Sequence, residues 1–284
     1  MAGNIIEDLN RTNKRLSKGH KKIADFIREN YDKAAFMTAS KLSDVVGVSE
    51  STVVRFAMAL GYEGYPQMQQ TLQEIMRHRL TSAQRFDMTL KMTQGETIQS
   101  VFSADIHNIK DAMLNIDPKV FNDVVEAISS AKSIYVLGLR SAAPLADFFA
   151  HYLYYIFDDV NVVMARSRAI YESMVRIKKG DCLIAISFPR YSTRTLESMR
   201  LARSKGAKVI GITDGALSPL HEESDLCLDA STRISSFVDS MAAPLALVNA
   251  LLTEIGKRNE DALKKNLSDL EVLWQENKVY AGNE

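Results

Sequence analysis

The chain has 284 residues, 46% of them hydrophobic and 25% charged, with 35 Lys+Arg against 35 Asp+Glu. That is length enough for about two globular domains, and the composition excludes a collagenous, disordered or disulfide-stapled chain. The zero net charge hides two unequal parts: residues 1–85 hold 13 Lys+Arg and 9 Asp+Glu, net +4, which leaves 22 against 26, net −4, on the other 199. The basic part is the one to search for nucleic-acid contacts.

Met1–Arg15 is polar and lacks the apolar core of a signal peptide. No stretch reads as a membrane span of roughly 20 apolar residues. Asp147 and His151 interrupt Ala142–Phe157, and Met241–Leu252 is too short. Cys182 and Cys227 sit in apolar runs without a CxxC or a Cys/His cluster, which fits buried thiols in a reducing cytoplasm.

Residues 17–80 read as successive helices without strand alternation. Ser17 suits the cap of a helix to about Asn30, with Ile23, Phe26 and Ile27 on one face. Thr38 or Ser40 suits the cap of a short helix, Lys41–Val46, with Leu42, Val45 and Val46 inward. Gly47 follows, where a positive φ costs glycine nothing. Ser49 then caps Glu50–Leu60, with Val53, Phe56 and Leu60 as its apolar stripe and Gly61 as its stop. A short helix, a glycine turn and a second amphipathic helix make a helix-turn-helix, whose second helix offers its first residues to the major groove. Those residues are Glu50, Ser51, Thr52 and Arg55, with Ser49 at the cap and Lys41 on the preceding helix. Read alone, Ser49–Thr52 equally suit a plain surface cap.

The run from Ser49 to Tyr65 resembles the recognition helix and following turn of RpiR-type bacterial transcription regulators. Their pattern is approximately S-x-A/S-T-V-x-R-F-x-x-x-L-G-[FY]-x-G-[FY], here with Gly61, Tyr62, Gly64 and Tyr65 in register. The resemblance implies double-stranded DNA as partner and a further helix over Tyr65–Leu80. The first domain is therefore placed at 1–80 and a linker at 81–95.

The second domain, 96–284, opens with a helix over Glu96–Ile116, in which Ile98, Phe102, Ile106, Ile109 and Met113 recur at three and four. Pro118 suits the first turn of the next helix, Val120–Ser130. Short apolar strands then alternate with helices. The strands are Ser133–Leu139, Val160–Met164, Cys182–Ser187, Lys208–Thr213 and Asp225–Leu228. The helices are Ala142–Phe157, Arg168–Ile177, Ser192–Lys205 and Ser236–Lys257. That rhythm predicts an α/β domain with a mainly parallel five-stranded sheet flanked by helices.

Such sheets bind ligands beyond the carboxyl ends of their strands. Three loops lie there: Gly138–Ala142 with Arg140 and Ser141; Ser187–Thr193 with Arg190 and Ser192; and Ser235–Ser240 with Ser236. Hydroxyls and helix-start amides make an anion pocket, and arginines suit phosphate or carboxylate. Ser192 and Ser236 equally suit plain helix caps.

This half resembles the SIS (sugar isomerase) domain. Asp181–Glu197 follows D-x-x-I-A-I-S-x-S-G-x-T-x-x-x-x-E, and Gly206–Thr213 follows G-A-x-x-I-x-I-T. Ser187 falls on the first ligand serine and Ser192 on the threonine. The resemblance implies a phosphosugar-type pocket. The chain departs from it in two loops: Arg140 replaces a glycine and Ala142 a serine in the first, and Pro189 and Arg190 replace serine and glycine in the second. Arginine fills space that glycine leaves for a phosphate, so a phosphosugar and another small anion, such as a carboxylate metabolite, both stay open.

His20, His78, His107, His151 and His221 form no triad, metal spacing or P-loop, and Glu197 is the one carboxylate near the second loop. No catalytic residue, cofactor or metal is expected. The expected protein is a ligand-responsive regulator, a repressor as is common in this family. It would be a homodimer or homotetramer on a palindromic operator, with the helices Phe148–Phe157 and Met241–Leu252 as its interface. The alternative is a SIS-type phosphosugar isomerase with a helical appendage.

Overall fold

The computed structural model describes residues 16–77, 81, 83–86, 97–163, 169–232 and 237–281. The chain divides into two compact units, Met1–Arg85 and Phe86–Glu284.

The first unit is helical. Helix α1 spans Lys18–Glu29, and the Ser17 hydroxyl accepts from His20 N at 3.3 Å. A single turn, α2 (Tyr31–Ala34), leads to α3 (Ala39–Val46), where Thr38 supplies the cap and Gly47 the stop, at φ +69°. Helix α4 (Glu50–Ala59) is capped by Ser49, and α5 (Tyr65–Arg77) follows. Ile23, Ile27, Leu42, Val53, Phe56, Met68 and Leu72 form the core. The buried Tyr65 donates its hydroxyl to Met37 O at 2.6 Å, and Gln69 Nε2 donates to the same carbonyl at 2.8 Å. These two bonds latch α5 to the turn that sets α3. Of the three residues expected inward on α3, only Leu42 is fully buried, and Val45 is 47% exposed. Two turns of helix present one narrow line of contact, which here runs through Leu42 and Ser43.

The second unit begins with α6 (Thr97–Asn115) and α7 (Pro118–Ser129), the latter capped by Asp117. Then come β1 (Ile134–Gly138), a 3-10 turn (Arg140–Ala142), α8 (Ala143–Leu153), β2 (Val160–Val163) and α9 (Ala169–Ser173). After them run β3 (Cys182–Ile186), α10 (Thr193–Ser204), β4 (Lys208–Thr213), α11 (Leu220–Glu223), β5 (Leu226–Asp229), α12 (Ala242–Arg258) and α13 (Glu260–Glu276). The sheet order is β2-β1-β3-β4-β5, all parallel. Alternate residues feed two cores: Ile134, Val136, Ile184 and Ile186 pack with α7, α8 and α12, and Tyr135, Leu137, Leu183 and Ala185 with α9 and α10. Both faces are covered, which is why the strands read as continuous apolar runs.

Three expectations change. Helix α9 is half the length its pattern predicted, because the chain turns at Met174–Arg176. Helix α12 starts at Ala242, six residues later than expected. Helix α13 went unread, since none of its residues is buried and it carries no strong apolar stripe. The apolar stripe of α6 is real but faces outward: Ile98, Phe102, Ile106, Ile109 and Met113 are 38–74% exposed, while Asn108 and Ala112 turn inward. Helix periodicity reveals a face, not what covers it. Conversely, α12 commits Ala243, Pro244, Leu247, Val248 and Leu251 to its own core, and Leu245, 37% exposed, stands on its open face. Among the described residues, no helix is long and apolar enough to cross a membrane.

Candidate nucleic-acid interface and effector pocket

Helix α4 owes its start to Ser49. The Ser49 hydroxyl accepts from Thr52 N at 3.3 Å and lies 2.9 Å from Ser51 Oγ and 2.8 Å from Thr52 Oγ1. With these bonds made, Ser49 sets the helix start. Glu50, Ser51 and Arg55 are exposed on one side, opposite buried Val53, Phe56 and Ala57, and Thr52 is half-buried. Arg55 folds back on its own helix, Nε to Ser51 O at 3.2 Å and a guanidinium nitrogen to Ser51 Oγ at 3.5 Å. Both bonds are exposed and exchangeable for a base edge or a phosphate. Lys41 stands exposed on the first turn of α3. A Cβ on Gly19 would come 3.3 Å from Thr52 Cγ2, so α1 packs directly behind the start of α4.

The carboxyl ends of β1 and β3 lie side by side, Gly138 opposite Ile186. Chain order reverses here, with β2 to one side of β1 and β3 to the other, the position at which sheets of this kind hold their ligand crevice. Gly138 is required by packing: a Cβ there would lie 2.6 Å from Ala142 O and from Ala146 Cβ. The next loop residue, Leu139, is extended, and Arg140 then adopts φ +58°. Across the crevice Arg190 adopts φ +69°. Both arginines occupy the left-handed region, which costs a residue with a Cβ on the order of 1–2 kcal/mol. Both stand where the sequence pattern keeps glycine. Left-handed backbone at residues with a Cβ is the kind of strain that clusters at ligand sites.

The hydroxyls are placed to match. Ser187 is 7% exposed at the end of β3, and its carbonyl accepts from Thr213 Oγ1 at 2.9 Å. Ser192 is the N-cap of α10, yet its hydroxyl makes no capping bond, so it can donate to a ligand. Thr193 is exposed on the first turn. Ser141 Oγ donates to Asp239 Oδ2 at 3.2 Å, joining the first loop to the third. Ser235 and Ser236 lie outside the described residues. Sequence reading missed Thr213, Asp214 and Tyr191. Tyr191 donates to Asp214 Oδ1 at 2.7 Å, which ties the arginine loop to the end of β4. No local pattern flags a pair 23 positions apart.

A cleft of about 700 Å³ opens at the other end of the sheet, lined by Asp123, Glu126, Asp181, Asp225, Arg203 and Lys208. Its carboxylates outnumber its cations and disfavour an anion. Glu197 is engaged, accepting from Tyr171 at 2.7 Å, which pushes the Tyr171 hydroxyl upward in pKa. His151 is exposed and bonded to Tyr155 at 2.9 Å, and His107 faces Asp111.

A helix-turn-helix joined to a parallel α/β domain with a strained cationic crevice defines a ligand-responsive transcriptional regulator. The helix-turn-helix model of the rpiR family matches residues 3–78, and the SIS domain model matches residues 127–254. The chain is 28% identical over 265 residues to the transcriptional regulator HexR of Pseudomonas aeruginosa, covering 90% of each. The sugar isomerase domain of an RpiR transcription factor from Sphaerobacter thermophilus superposes with TM-score 0.60 at 27% identity, over 63% of this chain and 99% of that one. The NanR protein of Vibrio vulnificus, solved with ManNAc-6P, shares the fold over 95% of this chain and 98% of its own, with TM-score 0.57 and 22% identity. The chain belongs to the RpiR-type regulators.

Proposed function

We propose that the protein reads a palindromic operator as a homo-oligomer, at least a dimer, in the cytoplasm, and releases or engages it when a small anion enters the arginine crevice. The observation that carries this is the pair Arg140 and Arg190, held at φ +58° and +69° where glycine would be relaxed. Arg140, Ser141, Ser187, Arg190, Ser192 and Thr193 form the pocket in this reading, and Ser235 and Ser236, outside the described residues, stay candidates from the sequence. Lys41, Ser49, Glu50, Ser51, Thr52 and Arg55 form the DNA-contacting set, with Ser49 also capping the helix. The NanR precedent favours a phosphosugar as ligand, and the two arginines extend the class to carboxylate-bearing sugar acids.

The outward stripe of α6 supports the oligomer. One helix-turn-helix reads one half-site, and two recognition helices must stand about 34 Å apart. Phe102 and Ile106, 66% and 52% exposed, would be covered by a second copy. The same helix is bonded to the third pocket loop: Asp105 accepts from Ser240 at 2.6 Å and Asn108 from Ser231 at 3.3 Å. A ligand that moves that loop moves α6, and a differential affinity for the two arrangements is all that coupling needs. The decisive test is a thermal-shift screen of phosphosugars beside sugar acids, followed by operator titration with the hit. A bound ligand raises the melting temperature and changes operator affinity, and Arg140→Ala and Arg190→Ala abolish the shift. If both variants keep it, the pocket is elsewhere. The protein is not an isomerase in this reading; aldose–ketose conversion lost on changing Glu197 would reverse it.

A further inference from the structure

Outside the effector crevice, the edge strand β5 and the short helix α11 bring three metal-ligating groups together. Cys227 and Asp229 are two positions apart on β5 and so point to the same face of the sheet. His221, from α11, meets them: its Nε2 is 2.9 Å from Asp229 Oδ1. One ligand atom from each of the three lies within 4.8 Å of the other two, and all three side chains are half-exposed. Gly211 pairs with Cys227 across the ladder, and a Cβ at Gly211 would lie 2.5 Å from Ser224 Oγ and 2.9 Å from Sγ, so glycine there leaves both side chains their place.

We infer that His221, Cys227 and Asp229 form a zinc-type metal site, with imidazole, thiolate and carboxylate as ligands and a fourth position open to water. The donor set fits: one nitrogen, one sulfur and one carboxylate oxygen are the ligands of a borderline-soft divalent ion. The dimensions fit as well. Bonds of about 2.0–2.3 Å hold tetrahedral ligand atoms roughly 3.3–3.6 Å apart, so the ion replaces the His221–Asp229 hydrogen bond after a separation of a few tenths of an ångström. Ser218 ties the neighbourhood to the fold, since its hydroxyl lies 2.7 Å from Thr213 Oγ1 and its carbonyl accepts from His221 N at 3.2 Å. No member of the triad belongs to the arginine loops, so the site is independent of the effector reading.

The test uses the full-length protein, stripped with chelator, kept reduced and titrated with Co²⁺. One Co²⁺ per chain should produce a thiolate-to-cobalt charge-transfer band, and Zn²⁺ should erase it. Cys227→Ser removes the band, while Asp229→Asn weakens Co²⁺ binding at least tenfold. Cys182→Ser leaves the band intact, because Cys182 is fully buried and burial pushes its thiol up to about 12. Arg190→Ala also leaves it intact. Absence of the band in the unmodified protein, or its survival in a folded Cys227→Ser variant, overturns the assignment.

Discussion

Gly47 and Arg140 carry nearly the same left-handed backbone, φ +69° and +58°, at corresponding moments of the two units, where the chain leaves one element for another. In the DNA-reading unit the position is glycine and the turn is relaxed. In the sensing unit it is arginine and the turn is strained, and Arg190 repeats the choice. The two helix starts diverge similarly. The Ser49 hydroxyl is committed to capping, whereas that of Ser192 makes no capping bond. A reader of fixed DNA geometry benefits from a rigid, satisfied frame. A pocket that must gain something on binding keeps donors and strain in reserve.

The largest effect expected lies in the rigid unit. On the proposed reading of two half-sites by a dimer, Arg55→Ala removes a contact from each, so operator affinity should fall by on the order of 2–4 kcal/mol, about 30- to 1,000-fold. Thermal stability should stay unchanged, since Arg55 is exposed and bonds only to Ser51. Gel-shift titration at fixed salt reads this, and unchanged affinity would remove α4 from the DNA. In the sensing unit, Arg190→Ala should weaken the effector by about 1.5–3 kcal/mol, the worth of a charge-assisted hydrogen bond. Calorimetric titration of the ligand found by thermal shift measures it, and operator affinity without ligand should not move.

Much of this contrast was legible in the sequence. The helix-turn-helix was visible because Thr38, Gly47, Ser49 and Gly61 each act locally, within a turn of where they stand. The five strands were visible because burial on both faces leaves unbroken apolar runs. The two arginines could be seen to replace glycine, but their positive φ is a property of the folded loops. The outward face of α6 was invisible because Phe102 and Ile106 read alike whether covered by this chain or another. His221, Cys227 and Asp229 stayed unread because a strand's alternation and a four-residue helix assemble them, and no fixed spacing announces it. Helix α13 was missed for want of any buried residue.

A middle-sized effect separates the units by pH. Burial pushes the Tyr65 hydroxyl from 10.0 up to about 12. Its neutral form is the one that folding favours, so this contribution is fully present below pH 10 and is lost as pH rises toward 12. The first unit should therefore lose about 2 kcal/mol over that window. Tyr65→Phe should cost about 1 kcal/mol at neutral pH, the net worth of one hydrogen bond, since Gln69 still donates to Met37 O, and should flatten the alkaline dependence. Denaturant unfolding of both proteins at pH 8 and 11 checks the sign, and an equal loss in the Phe variant would mean that another group titrates.

The smallest effect bears most directly on the comparison. If the arginine turns are strained for the sake of their side chains, glycine should relieve them. Arg140→Gly should stabilise the ligand-free second unit by up to about 1 kcal/mol, the left-handed penalty less the added entropy of the unfolded chain. The reciprocal change, Gly47→Ala, places a Cβ where nothing lies within 4 Å. Any loss there is backbone strain alone, and about 1 kcal/mol is expected. Opposite signs in paired urea titrations would establish that the two turns solve one geometric problem under different demands. A destabilising Arg140→Gly would mean that the side chain holds the loop in place even without a ligand, and that its left-handed backbone reflects packing rather than readiness to bind.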